Sequence, residues 1–190
     1  MSAGSLDIRD ATGADAARWD AFVLDSPQGT VFHRYGWRAA IERVFRHRTH
    51  YLLAERGGQV VAVLPLAEVR TRLFGHSLVS LPFCVYGGVA ADAPEAVPAL
   101  HAAARALAER LRVEHLELRN REVREPAWPR QELYVTFRKA LDPDPEKNLL
   151  AIPRKQRAMV RKGMQRGLTA ASGRDVETFF ALYADNMHRH

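Results

Sequence analysis

Residues 152–166, IPRKQRAMVRKGMQR, hold the side chains whose types and spacing could do chemistry. Six bases stand between Pro153 and the end of this stretch, Arg154, Lys155, Arg157, Arg161, Lys162 and Arg166, with no acid among them. The chain carries 28 Lys and Arg against 22 Asp and Glu, so this stretch alone accounts for its net charge of +6. Proline suits the first turn of a helix, where its missing N–H costs nothing. At about 100° per residue the six bases share one half of such a helix, and Ile152, Met159, Val160 and Met164 take the other. Gly163 and Gly167 weaken the helix and mark its end. A cationic face without acids points to an anionic partner. Three readings compete: a solvated charged face, a phosphate-binding helix at the edge of a cleft, and a nucleic-acid helix. Against the last, no aromatic is interleaved with the bases and no helix-turn-helix or zinc pattern surrounds them, so no specific nucleic acid is expected. The phosphate-binding reading takes Arg154, Lys155, Arg157, Arg161 and Lys162 as its contacts.

The remaining reactive side chains are sparse. Cys84 could be a nucleophile if a nearby base lowered its pKa; flanked by Phe83 and Val85, it also reads as a buried structural thiol. As the only cysteine it excludes an internal disulfide and a cysteine-rich zinc site. The run Tyr86-Gly87-Gly88 could bring backbone close to a ligand or form a plain turn. Phe83, Tyr86 and Gly87 are therefore the residues expected to line a cleft. His33, His47, His50, His76, His101 and His115 are scattered without metal-ligand spacing, and His188 and His190 sit at the end of a helical pattern, so no metal is expected. No nucleophile elbow, P-loop or dinucleotide glycine fingerprint is present.

The elements that must position these residues follow from periodicity. Residues 5–9 alternate as a strand, and Thr12 can cap a helix over 13–24 that carries Trp19, Phe22, Val23 and Leu24. A second helix over 35–46 would bury Trp37, Ile41, Val44 and Phe45. Gly57-Gly58 between two apolar runs is a two-residue hairpin, with Pro65 expected to kink or bulge the returning strand. A turn at Phe74-Gly75, a strand over 76–82 and the apolar loop 82–88 come next. A helix over 94–111, with Leu100, Ala104 and Leu107 on one stripe, precedes strands over 115–120 and 134–138. After the basic segment, residues 167–171 read as a strand and 175–188 as an amphipathic helix with Phe179, Phe180 and Tyr183. Leu168, Asp175, Phe179 and Tyr183 roughly repeat Leu6, Asp15, Trp19 and Val23, as if a second copy of the first domain opened there.

Composition bounds the class. A chain of 190 residues holds one domain, or one and part of another. No apolar run approaches the ~18 residues that span a bilayer. The N-terminus lacks a basic region followed by an apolar stretch, so the expected location is the cytoplasm. A pI near 9.9 suits nucleic acid, acidic lipid or phosphorylated small molecules without choosing among them.

The segments LVSLPFCVYGGVAAD, LELRN, YVTFR and IPRKQRAMVRKG together resemble the FemAB-related proteins found with PEP-CTERM/exosortase and exopolysaccharide systems. That resemblance implies an α/β (α+β) fold of GNAT-like type, a mixed, largely antiparallel sheet flanked by helices. It implies a first GNAT-like domain over 1–141, a basic interdomain helical segment over 142–166, and the opening strand and helix of a truncated second domain over 167–190. It implies an N-acyltransferase or aminoacyltransferase acting on an amino-bearing cell-envelope or exopolysaccharide precursor. No bound cofactor is implied for this stretch; acyl-CoA or aminoacyl-tRNA would be the co-substrate. The partner would be a phosphorylated small molecule or envelope precursor, with peripheral contact at the inner face of the membrane left open. The alternative is a non-catalytic GNAT-like module that binds an anionic polysaccharide, lipid headgroup or nucleic acid. The chain lacks a clear Arg/Gln-x-x-Gly-x-Gly/Ala segment, the loop that holds coenzyme A in ordinary GNAT enzymes. This fragment is therefore expected to be inactive by itself, and no catalytic base is assigned.

Overall fold

The computed structural model describes residues 5–71, 73, 75–122, 124–131, 133 and 135–189. The chain divides into two compact units, Met1–Pro129 and Arg130–His190. The first contains β1 (Leu6–Asp10), α1 (Ala16–Asp25), α2 (Trp37–Val44), β2 (Arg48–Arg56), β3 (Gln59–Arg70), β4 (His76–Val79), β5 (Ala90–Ala91), α3 (Ala96–Leu111) and β6 (His115–Glu117). Its sheet runs β1-β2-β3-β4-β6, with β5 paired to β3. All ladders are antiparallel except β4–β6, which is parallel. The fold is thus a mixed α/β one with a largely antiparallel open sheet flanked by helices.

β2 and β3 are apolar on both faces because both faces are covered. Leu52, Ala54, Leu64 and Leu66 pack with Leu100, Ala104 and Leu107 of α3. Tyr51, Leu53, Val63 and Ala67 pack on the other side with Trp19, Phe22 and Ile41 of α1 and α2. Trp19 anchors that layer, stacked on Tyr51 at 5.1 Å between ring centroids and donating from Nε1 to the carbonyl of His33 at 2.7 Å.

The Gly57-Gly58 hairpin forms as expected, with φ of 56° and 79°, the left-handed pair a tight two-residue turn demands. Gly58→Ala should cost about 1 kcal/mol, read as a lower urea midpoint, since its φ penalises any Cβ. Pro65, by contrast, neither kinks nor bulges β3. It pairs in register with Tyr51, and the bulge falls where the register shifts between Ala54 and Glu55. The reason is directional. The Tyr51 carbonyl accepts from Ala11 N–H at 2.6 Å, so Tyr51 points its backbone groups at β1. Pro65 opposite it then points away from β2, towards the gap where β3 has left β5 at Val63 and not yet met β4 at Ala67. No ladder bond is lost there.

Some expected burial is absent. Leu24 and Val44 are exposed, and Phe45 stacks on Phe83 instead of entering the core. Residues 135–138 form no strand, and Phe74 and Tyr134 lie outside the described residues. In the second unit, α4 (Pro145–Leu150), α5 (Arg154–Gln165) and α6 (Val176–His188) contain no buried residue. Residues 167–171, read as a strand, form none, because no strand among the described residues pairs with them. Asp175 caps α6, accepting from Thr178 N–H at 3.1 Å. Phe179, Phe180 and Tyr183 stand exposed on it. No helix among the described residues is long and apolar enough to cross a membrane.

Candidate functional site

β4 and β6 run side by side to Val79 and Glu117 and then part. Ser80 N–H still donates to the Glu117 carbonyl at 2.9 Å, and the Ser80 hydroxyl accepts from Arg119 N–H at 2.7 Å. Beyond that point the loop 80–88 folds across the opening. Leu81 and Phe83 hold left-handed φ values of 54° and 67°, conformations that side-chain-bearing residues adopt only under constraint. Arg119 supplies the constraint. Its Nε donates to Glu117 at 2.6 Å, its Nη1 donates to the Cys84 carbonyl at 2.7 Å, and its own carbonyl accepts from both Gly87 and Gly88 N–H.

His33 secures the other side of the loop. Its Nε2 lies 2.8 Å from the Gly88 carbonyl, and because a carbonyl only accepts, Nε2 carries the proton. Nδ1 then accepts from the Thr30 hydroxyl at 2.8 Å. Burial pushes the His33 pKa down, so the ring is neutral. Cys84 is buried, and burial pushes its thiol pKa up despite the Arg119 cation nearby. That is the environment of an inert structural cysteine.

The loop and the chain after β6 border an open cavity of about 250 Å³, lined by His33, Tyr86, Arg119, Asn120, Arg121 and Arg124 among others. The Arg121 guanidinium lies 5.8 Å from the Tyr86 ring centre and reaches the Pro27 carbonyl at 3.4 Å. Arg124 makes no hydrogen bond among the described residues and stands 3.8 Å from the exposed Glu122 carboxylate. Asn120 Oδ1 is buried without a hydrogen-bond partner among the described residues. Of the residues expected to line a cleft, Tyr86 does so. Gly87 packs its backbone against Ser80 and Leu81, where a Cβ would fall 2.5 Å from the Ser80 carbonyl oxygen. Phe83 stacks on Phe45 at 4.0 Å and is not part of the cavity wall. Arg119, Asn120, Arg121 and Arg124 went unassigned in the sequence, although the spacing of arginines directly after a strand was visible there.

The basic helix forms as α5 in the second unit. Arg154, Arg157, Arg161 and Lys162 line one shallow groove with Ala158 and Gln165; Lys155 lies outside it. Arg157 Nε donates to the Ile152 carbonyl at 3.1 Å, tying the helix start. Among the described residues no acid pairs with these bases. Met159 and Met164, on the opposite half, are exposed. No group of His, Cys, Asp and Glu among the described residues could hold a metal ion.

No protein-family model matches the sequence, and no curated protein does. Among solved structures the chain is similar to a GNAT family acetyltransferase of Staphylococcus aureus subsp. aureus USA300_TCH1516, at 12% identity and TM-score 0.47 over 72% of this chain and 99% of that one. It is similar to a ribosomal-protein-alanine N-acetyltransferase from Brucella melitensis biovar Abortus 2308, at 14% identity and TM-score 0.47 over 71% and 99%. It is also similar to FemX, at 19% identity and TM-score 0.42 over 55% of this chain and 24% of that one. The architecture described above stands on the chain's own strand ladders.

Proposed function

We propose that this chain is part of an N-acyltransferase or aminoacyltransferase that modifies an amino-bearing cell-envelope or exopolysaccharide precursor. The observation that carries the reading is the cavity beyond the carboxyl ends of β4 and β6. Open α/β sheets bind their ligands in such crevices, where parallel strands diverge and the backbone cannot fill the gap. The resemblance to FemAB-related proteins supplies the reaction class. Amine acylation needs a deprotonated amine beside an activated carbonyl and donors for the developing oxyanion.

The glycine pair of the loop is not a pyrophosphate cradle. The N–H groups of Gly87 and Gly88 both donate to the Arg119 carbonyl and so are not presented to a pyrophosphate. Acyl-CoA or an aminoacyl-tRNA would serve as the acyl donor in this reading. In this reading α5 holds phosphates of the donor or of a nucleotide-linked acceptor by charge-assisted hydrogen bonds. Its segregated cationic and apolar halves also suit peripheral contact with an anionic membrane face.

A second reading has its own support. His33 has both ring nitrogens engaged and Cys84 is not activated, so neither serves as a base. A non-catalytic GNAT-like module binding an anionic partner needs none. The test is binding of UDP-glucosamine, of alanyl-tRNA and of phosphatidylglycerol vesicles to the full chain, with and without Arg154→Ala and Arg161→Ala together. Weakening of alanyl-tRNA or UDP-glucosamine binding by about tenfold, at unchanged melting temperature, supports the transferase reading. Loss confined to the vesicles supports the module, and unchanged affinity for all three shows that α5 holds none of these ligands.

A further inference from the structure

We infer that the cavity at the diverging ends of β4 and β6 is a receptor for the phosphate group of a small amino-sugar phosphate. The assignment of that ligand as the acceptor rests on the transferase reading, whereas the phosphate site rests on the cavity alone. Its walls carry more positive charge than their neighbours balance. Arg119 is paired with Glu117, but Arg121 has only a carbonyl and a ring face, and Arg124 has only Glu122 at 3.8 Å. The Arg121 and Arg124 guanidinium groups, gathered at one concave site without hydrogen-bonded carboxylates, call for an anion. Their planar forks suit the tetrahedral oxygens of a phosphate better than a halide.

The rest of the wall specifies what is attached to the phosphate. Asn120 Oδ1 is a buried acceptor with no donor among the described residues and lies against Gly88 in the cavity wall, so a ligand hydroxyl or ammonium would satisfy it where that contact opens. The exposed Glu122 carboxylate at the rim provides a second acceptor for an ammonium group. About 250 Å³ is small beside the roughly 300–1,000 Å³ of drug-sized sites, so the ligand is small. These features together describe a compact molecule with a phosphate at one end and hydroxyl and amino groups beside it. With the acceptor's phosphate held here, α5 is left for the phosphates of the donor.

Isothermal titration of the full chain with glucosamine 6-phosphate, glucose 6-phosphate, inorganic phosphate and chloride tests this. Expected is saturable binding of all three phosphates, tightest for glucosamine 6-phosphate, with no heat from chloride. Arg121→Ala with Arg124→Ala should weaken glucosamine 6-phosphate by at least tenfold. Arg154→Ala with Arg161→Ala removes the same charge from α5 and should leave it unchanged. Arg124→Gln, at a side chain without hydrogen bonds among the described residues, gives the same reading should the double variant fold poorly. Equal weakening by the two double variants overturns the site, as does the absence of saturable phosphate binding. Equal affinity for glucose 6-phosphate overturns the amino-group assignment only. Absence of phosphate binding at the cavity with retained α5 effects defeats this inference; the transferase reading then rests on α5 and on a cavity that takes another group.

Discussion

Gly88→Ala is expected to destabilise the first unit by about 2 kcal/mol and to abolish ligand binding in the cavity. A Cβ at this position would fall 2.0 Å from Asn120 Oδ1 and 2.8 Å from Asn120 Cα. The amide could rotate aside, but the Cα belongs to the backbone and cannot. Moving residue 88 instead would break its N–H donation to Arg119 and its acceptance from His33. Those bonds join the loop to both sides of the opening, so strain at one glycine is transmitted to the whole wall. Gly36→Ala is the control, since a Cβ there meets nothing within 4 Å. It should change the unfolding free energy read from urea titration by less than about 0.5 kcal/mol. Wild-type stability in the Gly88→Ala variant would show that the two segments do not pack as described.

Asp15→Asn should cost about 3 kcal/mol at neutral pH, more than any other single change considered. Asp15 is only 4% exposed. Its carboxylate accepts from Arg9 through both Nη1 and Nη2 at 2.8 Å, from Thr12 N–H at 2.7 Å, and from Arg18. Glu55 shares both arginines, so two acids and two bases tie β1, α1 and β2 together. Asparagine keeps the shape but turns an amide N–H₂ towards guanidinium donors, leaving a buried donor facing donors.

The same network sets a pH dependence. Hydrogen bonds from Arg9, joined by those from Thr12 and Arg18, hold the Asp15 pKa well below the usual carboxylate range. A folded-state pKa below the unfolded one means that the stabilisation is complete above the unfolded value, about 4, and is lost as pH falls towards the folded one. The stability gap between wild type and Asp15→Asn should therefore be widest at pH 7 and narrow steadily below about pH 4. Urea midpoints at pH 7, 5 and 3 give the comparison, and a gap as wide at pH 3 as at pH 7 would contradict it.

Features governed by neighbours in the chain were legible in the sequence. The Gly57-Gly58 turn needs only two residues free to adopt positive φ between two strand-forming runs. The capped helix of Asp175 and the stripe of Leu100, Ala104 and Leu107 are likewise local patterns of period 3.6. Where a local pattern lacked a partner it misled. Residues 135–138 and 167–171 carry strand-like composition, but a strand exists only when another supplies its hydrogen bonds. Phe83 lies in the loop expected to form a cleft, yet its ring finds Phe45, a residue from the end of α2.

What the sequence by itself determined is the cationic half of α5. Six bases at helical spacing with no acid segregate onto one face wherever that helix sits, because about 3.6 residues per turn is a property of the backbone alone. Tertiary structure decided the cavity. His33 follows α1, Tyr86 follows β4 and the arginines follow β6, and nothing in their spacing along the chain relates them. They meet because β4 and β6 pair in parallel and then part, and because the Arg119 guanidinium bonds the loop that crosses the opening. Those long-range bonds have no period for a sequence to display.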